Sequence, residues 1–199
     1  MDITLYQVDA FTDRPFGGNP AAVCPLEAWL PDATLQAIAA ENNLSETAYF
    51  VPQRESGDGG YHLRWFTPTV EVELCGHATL ASGHVVLSYL RPDASRVSFR
   101  SRSGILVVAR DDGRLAMDFP SWPPAPRTPP GGLAEALGRA PVAWLDAPQE
   151  PERNRLVAVY DTAAEVRALA PDFAAMRRFD DVSVCVTAPG DATGTDFVS

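Results

Sequence analysis

The stretch from residue 76 to residue 90, GHATLASGHVVLSYL, constrains the fold of this chain more than any other. It has the length of a helix of about four turns, and it contains no aspartate, glutamate, lysine or arginine. A helix at a protein surface carries a polar face, whereas a helix with small or apolar residues all round is buried on every side. The sequence therefore predicts a central helix over 76–90 that is enclosed by β-sheet.

The segments on both sides of this helix have the patterns of β-strands. We predict strands at 3–10, 47–51, 61–66, 96–100, 105–110 and 114–119. The sequence Asp111-Asp112-Gly113 between the last two is typical of a hairpin turn. A glycine-rich turn is predicted at 57–60, and Asp32 is predicted to cap a helix that ends near Asn42 and Asn43. The pattern favours an α+β fold in which a curled antiparallel sheet wraps the central helix.

A proline-rich stretch, PSWPPAPRTPPGG at 120–132, marks the predicted boundary between two domains. The first is expected to be a β-barrel-like domain over 1–121, followed by a linker over 122–132 and a partial second domain over 133–199. The second part has strand patterns at 141–145, 155–160 and 182–187, a helix pattern at 162–169 and a turn at 191–194. It has no counterpart of the helix at 76–90, so we expect its sheet to be incompletely closed.

The charge of the chain argues against two classes of partner. The formal net charge is −10, from 26 acidic and 16 basic residues. Such a chain repels nucleic acid and anionic membrane surfaces, so we expect neither as a partner. No run approaches the ~20 apolar residues that span a bilayer, and the first residues have no basic region typical of a signal peptide. Three cysteines without a framework spacing indicate reduced thiols and a cytoplasmic location.

Glu46 is the first candidate for chemistry. It lies between Ser45 and Thr47 at a junction between a helix and an apolar strand, where a carboxylate is unusual. One interpretation is a general base. The alternative is a structural role, in which the Asn-Leu-Ser-Glu segment ties down the end of the preceding helix.

The second candidate is the segment Cys75-Gly76-His77, where a strand leads into the central helix. A helix N-terminus presents unpaired N–H groups and a positive dipole, which suit a carboxylate or phosphate. Gly76 would let a ligand approach the backbone, and His77 could donate a hydrogen bond or relay a proton. The alternative is that Gly76 serves a tight turn and His77 caps the helix. Cys75 could be a thiol nucleophile, because a helix N-terminus lowers a thiol pKa.

A metal site is not expected from the spacing of the available soft ligands. These are His62, His77, His84 and Cys75, and they follow no recognised zinc pattern. The chain also has no P-loop, GxGxxG or GxSxG sequence, so nucleotide binding and serine hydrolysis have no support.

The order of the longer motifs resembles the PhzF-like isomerases, a phenazine-biosynthesis-like family related in fold to diaminopimelate epimerase. The motifs that carry the resemblance run through the chain: VDAFTDRPFGGNPAAV, NLSETAYFV, RWFTPTVEVELCGHATLASGHV, MDFP, NRLVAVYD, LAPDFAAM and TDFVS. The resemblance implies two similar domains, each a barrel-like sheet around a central helix. It also implies a small anionic metabolite as ligand and a homodimer.

The resemblance further implies which residues act. The catalytic glutamate of the family falls on Glu46, and its Gly-His pair falls on Gly76 and His77. The glutamate would remove a proton next to an unsaturated carbon, and the proton would return elsewhere without a cofactor or metal. We expect Glu46 and His77 to be catalytic and Gly76, His77, Asn19 and Ser45 to bind substrate. Cys75, which aligns with a catalytic cysteine of the epimerases, is expected to be a packing residue.

Two alternatives to this isomerase stay open at the level of sequence. The family pattern continues past Ser199 with an Asp-Pro-x-Thr-Gly-Ser type loop and a second buried helix. A shortened chain could therefore be an inactive member that only binds a partner or dimerises, or a fragment. A hydrolase that activates water with Glu46 and His77 is the other alternative.

Overall fold

The structure is a computed structural model of the 199-residue chain, and it describes residues 2–53, 59–119, 121, 123–146, 154–191 and 194–199. The chain divides into two compact units, Met1–Phe119 and Pro120–Ser199. Parts of two predicted turns, at 57–60 and 191–194, lie outside the described residues. Among those described, no helix is long and apolar enough to cross a membrane.

The first unit is a curled sheet around one helix, which confirms the predicted α+β class. The strands follow the order β1-β2-β3-β4-β6-β7-β8, and β5 pairs with β4. Their bounds are β1 Tyr6–Ala10, β2 Asn19–Pro25, β3 Thr47–Pro52, β4 Tyr61–Phe66, β5 Glu71–Val72, β6 Arg96–Ser101, β7 Gly104–Asp111 and β8 Arg114–Met117. The helices are α1 Asp32–Asn42 and α2 Gly76–Val85.

The sheet is mixed, where we expected an antiparallel one. β2 pairs with β3 in parallel, and so does β4 with β6, whereas the other neighbours are antiparallel. The reason is that a helix separates the two strands of each parallel pair, because a parallel pair needs a crossover connection. The predicted hairpin after β7 is present, with Asp112 and Gly113 both at positive φ as the two-residue turn requires.

The central helix is the core of this unit, but two of its predicted features are wrong. It is α-helical only to Val85, and Val86–Leu90 continues as a π-helix. It is also not buried on every side. One stripe of the helix is only half-buried, and its residues are spaced one helical turn apart: Leu80, His84 and Ser88. This stripe lines a groove of about 1390 Å³ beside residues of β1 and β8, which are the two ends of the strand order and leave the sheet open there.

The rest of α2 is packed against the sheet. Ala78, Ala81 and Val85 share one core cluster with Phe50, Trp65 and other strand residues. Two hydroxyls inside this core bond back to the helix backbone: Thr79 donates to the Cys75 carbonyl at 2.6 Å, and Ser82 donates to the Ala78 carbonyl at 2.7 Å. These bonds explain how polar side chains are tolerated in a buried helix.

The helix α1 begins one residue earlier than the capping pattern predicted. Pro31 is the N-cap residue, and Asp32 is the first helical residue. The Asp32 carboxylate instead accepts a hydrogen bond from Arg64 Nη1 at 2.9 Å. At the other end, Asn43 closes the helix in the left-handed conformation, with its N–H bonded to the Ala39 carbonyl.

In its described residues, the second unit is a five-stranded sheet with three short α-helices. The strand order is β13-β12-β11-β10-β9, and β11 pairs with β12 in parallel. The strands are β9 Ala125–Pro126, β10 Ala143–Asp146, β11 Asn154–Val159, β12 Val182–Pro189 and β13 Phe197–Val198, and the helices are α3 Leu133–Ala136, α4 Ala163–Arg167 and α5 Phe173–Met176. The longest of these helices has five residues, so the described part of this unit has no counterpart of α2.

Candidate active site

The site lies where β2 and β3 run beside the start of α2. Glu46 is the residue just before β3, and its backbone carbonyl accepts a hydrogen bond from Ala22 of β2 at 3.3 Å. This bond continues the parallel β2–β3 ladder by one residue and fixes the backbone that carries the carboxylate. α2 begins at Gly76 after Cys75, which has extended backbone angles. The start of the helix therefore faces a fixed sheet segment.

The imidazole of His77 joins these two elements. Its Nε2 lies 3.3 Å from Oε2 of Glu46 and also 3.3 Å from Oγ of Ser45. The His77 side chain is 10% exposed and that of Glu46 is 20% exposed. The pair is thus enclosed by protein but open to solvent on the side of the carboxylate.

Cys75 lies on the opposite edge of the same ring. Its Sγ is 3.4 Å from His77 Nδ1, and the residue is only 6% exposed. We expected Cys75 to be a packing residue, and it does belong to the core cluster around α2. What the sequence did not reveal is the direct contact between its thiol and the imidazole.

The ionisation of the thiol and the imidazole follows from their burial. Burial raises the pKa of the Cys75 thiol to about 12, the Ala78 backbone N–H opposes the rise, and the Glu46 carboxylate adds to it. Burial also lowers the pKa of His77, against the opposing effects of the Glu46 charge and a hydrogen bond to the Pro20 carbonyl. At neutral pH the site holds a protonated thiol and a neutral imidazole.

The start of α2 leaves room for an anion beside these side chains. The N-cap residue, Cys75, makes no side-chain capping hydrogen bond. The N–H groups of the first two helical residues, Gly76 and His77, and the positive end of the dipole are therefore available. A Cβ on Gly76 would lie 3.3 Å from Cζ of Phe119, which is itself half exposed. Phe119 therefore adjoins the site, although its sequence position in MDFP gave no such indication.

Among the five predicted site residues, the structure brings together Ser45, Glu46, Gly76 and His77. The role of Asn19 stays a prediction. Asn19 is the exposed first residue of β2, next to Pro20, and no hydrogen bond or ion pair of its side chain is found within the described residues. The segment Asn43-Leu44-Ser45-Glu46 does close the end of α1, as the structural alternative predicted, but it does so through the backbone of Asn43 and not through the Glu46 carboxylate.

A metal ion could draw on three ligands here. Glu46, Cys75 and His77 offer ligand atoms that all lie within 4.8 Å of one another. However, Glu46 and Cys75 face different nitrogens of the imidazole, and a metal ion uses only one of them. This geometry suits hydrogen bonding through the ring better than coordination. His62 and His84 do not join this group among the described residues.

The motifs that build this site match one known family along almost the whole chain. The family described as phenazine biosynthesis-like protein covers residues 8–199. The chain belongs to this family. An uncharacterised isomerase of Pseudomonas aeruginosa is 50% identical over 199 residues, which is 100% of this chain and 72% of the relative. The resemblance found in the sequence motifs is therefore confirmed.

Solved structures of phenazine biosynthesis-like proteins have the same fold. A PhzF-family protein of Enterococcus faecalis is 40% identical, with a TM-score of 0.84 over 99% of this chain and 72% of that one. A Pseudomonas aeruginosa protein described as a predicted epimerase has a TM-score of 0.69 at 21% identity, over 94% of this chain and 70% of that one. The second likeness concerns the fold alone, and it agrees with the expected epimerase-like architecture.

Proposed function

We propose that this chain carries a cofactor-independent isomerase site of the phenazine biosynthesis-like family, with Glu46 as the general base. The observation that supports it most directly is the 3.3 Å approach of Glu46 Oε2 to Nε2 of a buried, neutral His77. A carboxylate that is oriented by a neighbour but still open to solvent can reach a substrate C–H bond.

In the proposed reaction Glu46 takes a proton from a carbon next to an unsaturated carbon of a small carboxylate. The electron pair of the C–H bond moves into the unsaturated system. The carboxyl group of Glu46, which is 20% exposed and can exchange its proton with solvent, then returns a proton to another carbon. No atom is gained or lost. His77 holds the carboxylate of Glu46 in place, and the open N-terminus of α2 at Gly76 binds the carboxylate of the substrate.

Proton exchange with solvent tests this proposal. The chain is incubated in deuterated water with a panel of small carboxylates that carry a C–H bond next to an unsaturated carbon, and deuterium uptake is followed by mass spectrometry. We expect Glu46→Gln to lower the exchange rate by roughly 10²- to 10⁴-fold, the usual contribution of a general base. Glu41→Gln is the matched control, because Glu41 is an exposed carboxylate on α1.

Three outcomes would contradict the proposal. Glu46→Gln could exchange as fast as the original chain, in which case Glu46 is not the base. A product heavier by one water would indicate hydrolysis. Uptake with no member of the panel would favour the alternative of an inactive member that serves only to bind or dimerise.

A further inference from the structure

Both nitrogens of the His77 imidazole contact neighbouring groups. The groups at the two nitrogens differ in whether they donate or accept a hydrogen bond. Nδ1 faces the Cys75 thiol at 3.4 Å, and Nε2 faces Glu46 and Ser45, each at 3.3 Å. A neutral imidazole carries one proton, so one nitrogen donates and the other accepts. Which nitrogen carries it decides what His77 presents to Glu46.

The groups around Nε2 favour a proton on that nitrogen. An ionised carboxylate only accepts hydrogen bonds, whereas the hydroxyl of Ser45 can donate or accept. A lone pair of Nε2 directed at the carboxylate would be repelled.

The group at Nδ1 is suited to the complementary role. A protonated thiol has one S–H to donate, and its sulfur is a weak acceptor. The burial that keeps the Cys75 thiol protonated thus also makes it a donor. Sγ meets hydrogen-bond geometry with Nδ1, and Glu46 is the competing acceptor nearby.

We propose that Cys75 is a positioning residue whose S–H donates to Nδ1 of His77, so that the ring is held neutral with its proton on Nε2, towards Glu46. The inference rests on the proposed function, since the N–H so directed is what orients the general base. It assigns a role to a thiol that takes part in no bond-making step.

The test is nuclear magnetic resonance of the whole chain labelled with ¹⁵N-histidine. Long-range ¹H–¹⁵N spectra distinguish a protonated ring nitrogen from one with a lone pair, and His77→Gln identifies the His77 signals among the three histidines. We expect a protonated Nε2 and a lone pair on Nδ1 at neutral pH. A proton on Nδ1 would overturn the proposal before any variant of Cys75 is made.

Two variants separate the hydrogen bond from burial. Cys75→Val keeps the site dry and suits the extended backbone of this residue, at φ −144° and ψ 110°, but it has no donor. We expect the titration midpoint of His77 to rise in this variant, because only the neutral ring gains from S–H donation. Cys75→Ser, which keeps a donor, should retain the original tautomer. An unchanged midpoint in the valine variant would mean that the thiol only packs.

A second measurement compares the tautomers of His77 in the variant Glu46→Gln with and without the thiol of Cys75. The glutamine amide can offer Nε2 either a donor or an acceptor, so the thiol becomes the group that selects the tautomer. We expect Glu46→Gln to keep the proton on Nε2 and the double variant Glu46→Gln/Cys75→Val to populate both tautomers. If both show the same tautomer ratio, the thiol does not set it.

The matched control is Cys24→Val. Cys24 is also fully buried with its pKa raised to about 12, but it lies in a separate core cluster beside Leu35 and Tyr49. Its replacement should leave the His77 spectrum unchanged. These spectra need no substrate. If Glu46→Gln exchanges deuterium as fast as the original chain, the proposed function is rejected, whereas the hydrogen bond of Cys75 is still decided by the spectra alone.

Discussion

Oε2 of Glu46 lies 3.3 Å from Nε2 of His77, and these two atoms join the start of β3 to the start of the central helix. Each side chain is carried by a segment that the backbone already fixes: the β2–β3 ladder on one side and the first turn of α2 on the other. A carboxylate held in this way loses little further freedom when it acts, which is the physical basis of preorganisation.

The stability of the chain should fall when the pH drops below about 6.5. Burial is the main reason that the pKa values of His62, His77 and His84 lie below their ordinary 6.5. The folded chain then binds protons more weakly than the unfolded chain. The stabilisation is fully present above about pH 6.5 and is lost as the pH falls through the folded-state values.

Urea unfolding between about pH 8 and pH 5 measures this effect. His84→Gln should flatten the dependence, because it removes one half-buried histidine with a lowered pKa outside the candidate site. Carboxylates with lowered pKa, such as Glu71, contribute only nearer their ordinary value of 4.5. A free energy of unfolding that stays constant from pH 8 to pH 5 would contradict the prediction.

Gly76→Ala should weaken substrate binding more than it affects folding. The added Cβ would stand 3.3 Å from Phe119 Cζ, and a small shift of that half-exposed ring relieves the contact. The same methyl group would crowd an anion at the N–H groups of α2. We expect KM in the exchange assay to rise roughly five- to tenfold, about 1 to 1.4 kcal/mol, with a smaller change in kcat.

The control for this variant is Gly131→Ala, since no atom lies within 4 Å of a Cβ at Gly131. Thermal unfolding of both variants checks that the fold is kept. A KM for Gly76→Ala equal to that of the control would show that the helix N-terminus is not where the substrate carboxylate binds.

Gly83→Ala should destabilise the first unit, although alanine favours a helix. A Cβ there would lie 2.5 Å from Cγ1 and 2.6 Å from Cβ of Val108 on β7. Overpacking of this kind costs about 1 to 3 kcal/mol, whereas the gain in helix propensity is at most about 1 kcal/mol. Denaturant unfolding should therefore show a net loss.

A second substitution tests the cause of that loss. Val108→Ala removes Cγ1 and Cγ2 but keeps the Cβ at 2.6 Å, so it relieves only part of the overpacking. The pair Gly83→Ala and Val108→Ala should still lose less than the sum of the single variants. Simple additivity would place the cause elsewhere than in this contact.

Arg64→Ala should destabilise the first unit by about 1 to 3 kcal/mol. Arg64 donates from Nε to Glu71 Oε1 at 2.7 Å and from Nη2 to Oε2 at 2.9 Å, and the two side chains are 13% and 14% exposed. Removal of one partner leaves a partly buried charge, which costs less than the 3 to 5 kcal/mol of a fully buried one because Arg102 still pairs with Glu71.

Arg64→Lys should recover only part of the loss, since an ammonium group cannot make the bidentate contact. The comparison is Arg167→Ala, whose partner Asp191 is more exposed. That change should cost much less, because solvent screens an exposed ion pair. Equal losses for Arg64→Ala and Arg167→Ala, measured by denaturant unfolding, would show that burial of the Arg64 pair adds nothing.

Much of the first unit follows from local sequence. The absence of charge in 76–90 predicted a buried helix, strand patterns predicted most of the sheet, and Asp111-Asp112-Gly113 predicted the hairpin turn between β7 and β8. These features depend on side-chain polarity and backbone preference over a few residues, which a single sequence carries. The same is true of Gly76 and His77 at the helix start.

The tertiary structure decided what depends on distant parts of the chain. Parallel pairing of β2 with β3 sets Glu46 against His77, and an opening between β1 and β8 leaves Leu80, His84 and Ser88 half-buried. Neither follows from local pattern, because strand order is fixed by packing across the whole unit. The sequence predicted Glu46 and His77 as site residues and Cys75 as a packing residue beside them. Only the fold determined that the carboxylate and the thiol face opposite nitrogens of one imidazole.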